Sequence, residues 1–169
     1  HIPGEASAPW LRSVLPFAGR FRAGPGVRTL ECAGLRYAPL ICYEAVPGGP
    51  PREATNQGAE LLVNATNDVW FEGTQGPHLH AMLVRLRAVE TRRPLVRVTS
   101  TGLTFVALPD ARLVGETPPG VPAVTVVDVP RGAGETLFLR LGDALVWLAI
   151  AGLAVALLAP TSAGSPGPR

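Results

Sequence analysis

A layered α/β domain followed by one membrane-spanning helix is the architecture the 169-residue sequence predicts. Short β-rich runs alternate with helical stretches, the order that packs helices onto a sheet. The length suits one principal domain with a sizeable core. Near the end, LGDALVWLAIAGLAVALLA runs from Leu141 to Ala159 with a single charge, Asp143. At about 1.5 Å per residue that stretch approaches the roughly 30 Å of a bilayer core. A core helix would show amphipathic periodicity, which is missing, and the polar PTSAGSPGPR follows directly.

Taken in order, the Pro/Gly-rich PFAGRFRAGPG (16–26) reads as a loop. RYAPLICYE (36–44) and ELLVNAT (60–66) read as strands. Between them PPREATNQGA fits a short helix, with Pro51 in its first turn and Gly58 near its end. PHLHAMLVRLRAVETRR (77–93) predicts a longer helix, because Leu79, Met82, Leu83, Leu86 and Val89 recur at spacings of three and four while Arg85, Arg92 and Arg93 face away. Pro94 closes it. LVRVTS, LTFVAL and RLVGET follow as strands, the last two joined by a PDA hairpin, and AVTVVDV is a further strand candidate.

The net charge is +2, and all fifteen cations are arginines. They are scattered rather than gathered into a phosphate-tracking stripe, which argues against a nucleic-acid partner. No lysine means no ammonium side chain for catalysis within this chain. The first residue is His1, and no signal-peptide pattern stands at that end, so a fragment or processed chain is expected. Two cysteines, Cys32 and Cys42, neither form a disulfide framework nor match a zinc pattern.

Cys42 ends an apolar run and precedes a helix candidate, the strand-to-turn position that exposes a nucleophile at a sheet edge. A thiolate there needs a base, a cation or a helix N-terminus to form near neutral pH. A small apolar core residue is the alternative reading. Glu44 lies two residues on, so in an extended chain its carboxylate shares a face with the thiol, and Tyr43 points the other way. His78 and His80 at i and i+2 do not share a helix face and have no third ligand near them, so no metal site is expected. NATNDVWFEG (64–73) follows a strand and carries Trp70 and Phe71 as an aromatic wall, with Asn67 and Asp68 as turn formers. Arg85, Arg87 and Glu90 fit a solvated face or a structural ion pair.

ICYE, then LLVNATNDVWF, then GPHLHAMLVRLRAVETRRPLVRVTSTGLT, then an apolar helix, in that order and spacing, resembles the C-terminal part of the apolipoprotein N-acyltransferases. These are bacterial inner-membrane members of the nitrilase-like carbon–nitrogen hydrolase superfamily. The resemblance runs from residue 1 to about 158. It implies a partial αββα sandwich over 1–135, a transmembrane helix over 139–159 and a polar tail over 160–169. It also implies a Glu–Lys–Cys triad with Cys42 as nucleophile, Tyr43 and Glu44 as the functional pair beside it, and Trp70 as a supporting residue. HIPGEASAPW resembles H-L-V-P-F-G-E-x-V-P, one residue shorter, and makes Glu5 the additional active-site carboxylate. The triad Lys and Glu and the earlier membrane helices are expected upstream of His1, so this piece alone is expected to be inactive. TSTG (99–102) stands where the family usually has asparagines.

The implied reaction moves a fatty acyl group from a phospholipid, through a cysteine thioester, to the N-terminal diacylglyceryl-cysteine of an apolipoprotein. It uses no cofactor and takes place at the periplasmic side of the inner membrane. A membrane-anchored nitrilase-type amidase and an inactive homologue are the alternatives.

Overall fold

The computed structural model describes residues 24–158. Strands β1 (Leu30–Cys32) and β2 (Leu35–Ile41) form a hairpin closed by Ala33 and Gly34, at φ 50 and 73. Positive φ at both central residues gives the turn the twist that matches its strands. Strands β3 (Leu61–Thr66) and β4 (Leu95–Thr99) continue parallel to β2, and β5 (Thr104–Ala107) and β6 (Leu113–Thr117) add antiparallel at the far edge. Strand order follows chain order throughout this six-stranded sheet.

The parallel strands are connected by helices, as parallel pairing requires. Helix α1 (Gly49–Asn56) opens with Pro50 and Pro51, which supply the fixed φ of a first turn and need no hydrogen bond there. Helix α2 (Gly76–Thr91) is stopped by Arg92 in a left-handed conformation, with Pro94 two residues on. The two helices touch and cover one face of the sheet. Ala38, Leu40, Leu62 and Leu95 from the strands meet Ala54, Val84 and Ala88 from the helices in a single core, each at most 1% exposed.

The buried side of α2 differs from the expected stripe. Leu79, Met82, Leu86 and Val89 are 40–60% exposed, and the buried positions are His80, Ala81, Val84, Arg87, Ala88 and Thr91. Small residues let the helix lie close to the sheet; of the inward polar groups His80 meets Asp68, while Thr91 and Arg87 pair within the helix itself, with the carbonyl of Arg87 and with Glu90. The opposite face of the sheet presents Pro39, Ile41, Val63, Ala65, Val96 and Val98, all half-buried or exposed.

AVTVVDV, expected as a strand, runs without strand pairing, although Val127 packs against Gly115 of β6. The expected 139–159 helix is divided. Helix α3 (Leu137–Leu141) stops at Gly142, at φ 55, and helix α4 (Ala144–Leu158) follows. Over the described residues α4 has 15 residues and is apolar, with Val146, Trp147, Leu148, Ile150, Leu153, Val155 and Leu157 exposed, and no helix among them is long and apolar enough to cross a membrane.

Arginines fasten the segment leading to α4. Arg93 donates to the carbonyls of Ala59 (2.7 Å) and Gly134 (3.0 Å). Thr136 caps α3 through Leu139 N–H and donates to the carbonyl of Glu90. Arg52 of α1 donates to the carbonyls of Leu139 (2.9 Å) and Arg140 (3.2 Å), satisfying two groups that the last turn of α3 leaves free.

Candidate active site

The carboxyl ends of parallel strands are where open α/β sheets bind ligands. Here those ends bring together Cys42 after β2, Asn67 and Asp68 after β3, and Ser100 after β4. Cys42 is half-buried, a free thiol, and starts a single 3₁₀ turn, Cys42–Ala45. Its φ is +50, a conformation costing a non-glycine residue roughly 1–3 kcal/mol unless its surroundings impose it.

Two contacts impose it. Asn64, fully buried in β3, donates its side-chain amide to the carbonyls of both Leu40 and Cys42, each at 3.0 Å. Glu44 turns back so that its carboxylate accepts from Ile41 N–H at 2.8 Å. The extended geometry expected for residues 42–44 is therefore replaced by a turn. Glu44 braces that turn rather than projecting from a strand beside the thiol. Beyond its outer wall a cleft of about 440 Å³ is lined by Leu40, Glu44, Pro50, Glu53 and the chain at 24–28.

Beneath the cysteine turn lies a buried polar network. Arg97, on β4, is 0% exposed. It donates to Asn64 Oδ1 at 2.7 Å, to Asp68 Oδ2 at 2.6 Å and to the carbonyl of Leu103 at 3.3 Å. Asp68, 1% exposed, takes His80 Nδ1–H at 3.1 Å and Thr66 O–H at 3.3 Å on its other oxygen. Burial lowers the Arg97 pKa, opposed first by Asp68 and then by Cys42. An arginine stays charged even so. Gly102 lies so close to the Asp68 carboxylate that a side chain at that position has no room.

Asp68 is thus no mere turn former. Asn67 does act as one, accepting from Val69 N–H at 3.2 Å and from the Ser100 hydroxyl at 2.5 Å. Tyr43 is 65% exposed and Trp70, in a turn spanning Val69–Phe71, is 83% exposed, so both face outward. Glu5 lies outside the described residues. Cys32 is exposed on the edge strand β1. His80 is committed to Asp68, and its Nε2 has no partner among the described residues.

Sequence reasoning missed Asn64, His80 and Arg97 as a group. One signal for it is present in LVRVTS, where two-residue alternation puts Arg97 on the same inward face as Leu95. A charge at an inward position demands a buried partner, and the Asp68 expected in a turn is that partner.

A mixed α/β sheet with a cysteine poised after a parallel strand defines a class, and the chain belongs to the carbon–nitrogen hydrolase family, whose pattern matches residues 6–137. An amidase of the nitrilase superfamily from Nesterenkonia sp. has the same nitrilase-like fold, with a TM-score of 0.61 at 22% identity, over 79% of this chain and 51% of the amidase. Among its relatives are apolipoprotein N-acyltransferases. That of Geobacter metallireducens is 34% identical over 155 residues, 92% of this chain and 30% of the relative. That of Bradyrhizobium diazoefficiens is 38% identical over 126 residues, 74% of this chain and 23% of the relative. The chain thus spans less than a third of the length of the curated relatives it matches.

Proposed function

We propose that the chain carries the nucleophile of an N-acyltransferase that moves a fatty acyl group from a phospholipid to the N-terminal diacylglyceryl-cysteine of an apolipoprotein. The observation that carries this reading is Cys42 held in a left-handed turn at the carboxyl end of a parallel strand, in a chain whose relatives are named for that activity. The Cys42 thiol loses its proton to a glutamate base, and its sulfur attacks the ester carbonyl. Donors around the oxyanion stabilise the tetrahedral intermediate. The C–O bond breaks, the lysophospholipid leaves as an alcohol with that proton, and a thioester remains. The acceptor's α-amino group attacks the thioester, forming an amide and restoring the thiol. A thioester suits the task because it reacts readily with amines.

In this reading Glu5 is a supporting carboxylate, Glu44 supports the nucleophile's turn, and Tyr43 and Trp70 face the substrates. The apolar face of the sheet that α1 and α2 leave open receives a second sheet, completing an αββα sandwich to which residues 1–135 contribute. Residues 139–159 form the membrane segment, with 160–169 as a polar tail, and the domain works on the periplasmic side of a bacterial inner membrane.

Incubating the complete protein with phospholipid tests this. An acyl group released by hydroxylamine is expected on Cys42, and none with Cys42→Ser. Equal labelling of the two refutes the thioester. Release of free fatty acid with no acylated amine identifies a hydrolase instead.

A further inference from the structure

Asn64 joins two things the proposed chemistry leaves unconnected: the strained backbone of Cys42 and the buried ion pair below it. Its amide nitrogen holds the carbonyls on either side of the strand end, Leu40 and Cys42, while its amide oxygen accepts from Arg97. The orientation of a primary amide is otherwise ambiguous, since its oxygen and nitrogen ends are nearly the same size. Arg97 removes the ambiguity, because a guanidinium only donates and so must face the oxygen. Asp68 in turn fixes the guanidinium at 2.6 Å, and His80 and Thr66 occupy the other carboxylate oxygen. The flip that would point the amide oxygen at two carbonyls is blocked three residues deep.

We infer that Asn64 and Arg97 are positioning residues: the ion-paired guanidinium orients the Asn64 amide, and the amide pins Cys42 in the left-handed turn that presents its sulfur.

Neither residue touches a substrate. Both are 0% exposed, below the turn. With the pin removed, nothing in β3 opposes relaxation of Cys42 to a negative φ, which swings the Cα–Cβ bond away from the strand end. Cys32, exposed on β1, stands outside the network and provides an internal control. The device rests on Cys42 as the nucleophile, but its geometry is measurable without turnover.

The test takes the complete protein as wild type, Asn64→Ala, Asn64→Asp and Arg97→Lys. Asn64→Asp keeps the volume and the Arg97 partner but turns an oxygen on the two carbonyls, so it decides the matter should Asn64→Ala not fold. Iodoacetamide modification of each cysteine is followed by mass spectrometry, and kcat and KM are measured for acyl transfer. The Cys42-to-Cys32 rate ratio is expected to fall about tenfold in both Asn64 variants, kcat to fall at least as far, and KM for phospholipid to stay within twofold. Arg97→Lys keeps the charge but cannot reach Asn64 and Asp68 together, and should fall between wild type and Asn64→Ala. An unchanged ratio and kcat in folded Asn64→Asp overturns the inference and leaves the thioester intact. A lowered ratio in a protein that never acylates Cys42 does the reverse, sustaining the pin and refuting acyl transfer. A rise of KM with kcat unchanged also overturns it, since that is the mark of lost substrate contact.

Discussion

Replacing Asp68 with asparagine changes one atom and strips Arg97 of its counter-charge. Both side chains are 0% exposed and lie 2.6 Å apart, so the lone guanidinium would sit out of water with only neutral partners. Breaking a buried pair by removing one member costs about 3–5 kcal/mol. Domains of this size are stable by about 5–15 kcal/mol, so the change removes a large part of the total. The midpoint of thermal unfolding should fall by roughly 6–20 °C. Guanidinium unfolding followed by circular dichroism measures the loss. Replacing both partners together, Asp68→Leu with Arg97→Met, should cost less than the sum of the single changes, because no unpaired charge remains. A loss below about 1 kcal/mol for Asp68→Asn, the level of a solvent-exposed pair, would refute the claim that water is excluded here.

Two further outcomes follow from the same neighbourhood and from the outer helix layer. Gly102→Ala drives a methyl group into the Asp68 carboxylate and should destabilise by about 1–3 kcal/mol, read as a lowered unfolding midpoint with little change in denaturant slope. Glu90 is held above the usual carboxylate range, chiefly by burial, with Arg87 pulling it down and Asp143 pushing it further up. A raised folded pKa means that its contribution to stability is complete below the unfolded value of 4.5 and is lost as pH rises through the folded one. Glu90→Gln should therefore match wild type at acid pH and exceed it at neutral pH in parallel melts, and equal curves across that range would contradict the burial.

The parallel strands were legible because each is a short apolar run between turn-forming residues, and the proline-led start of α1 was legible for the reason prolines favour first turns. The face of α2 was not. Its large residues at Leu79, Met82, Leu86 and Val89 make the stronger periodic pattern, yet the sheet accepts the smaller Ala81, Val84 and Ala88. Local periodicity reports where apolar bulk lies, and close helix-to-sheet approach favours its absence. At the site, Cys42 stood out because it follows a strand, but the strand geometry expected through Glu44 was not found, since nothing local announces that the strand stops at Ile41. The link from Asn64 to Arg97 crosses 33 residues, a separation at which only alternation on each strand leaves a trace.

The arginine fastenings before α4 have a mechanical consequence. Arg52 grips the last carbonyls of α3 from the helix that follows the cysteine turn, and Arg93 grips the chain a few residues earlier. A pull along the segment before Gly142 therefore loads α1 and the sheet directly, while the break at Gly142 and Asp143 makes that two-residue joint the place where the apolar helix takes its direction.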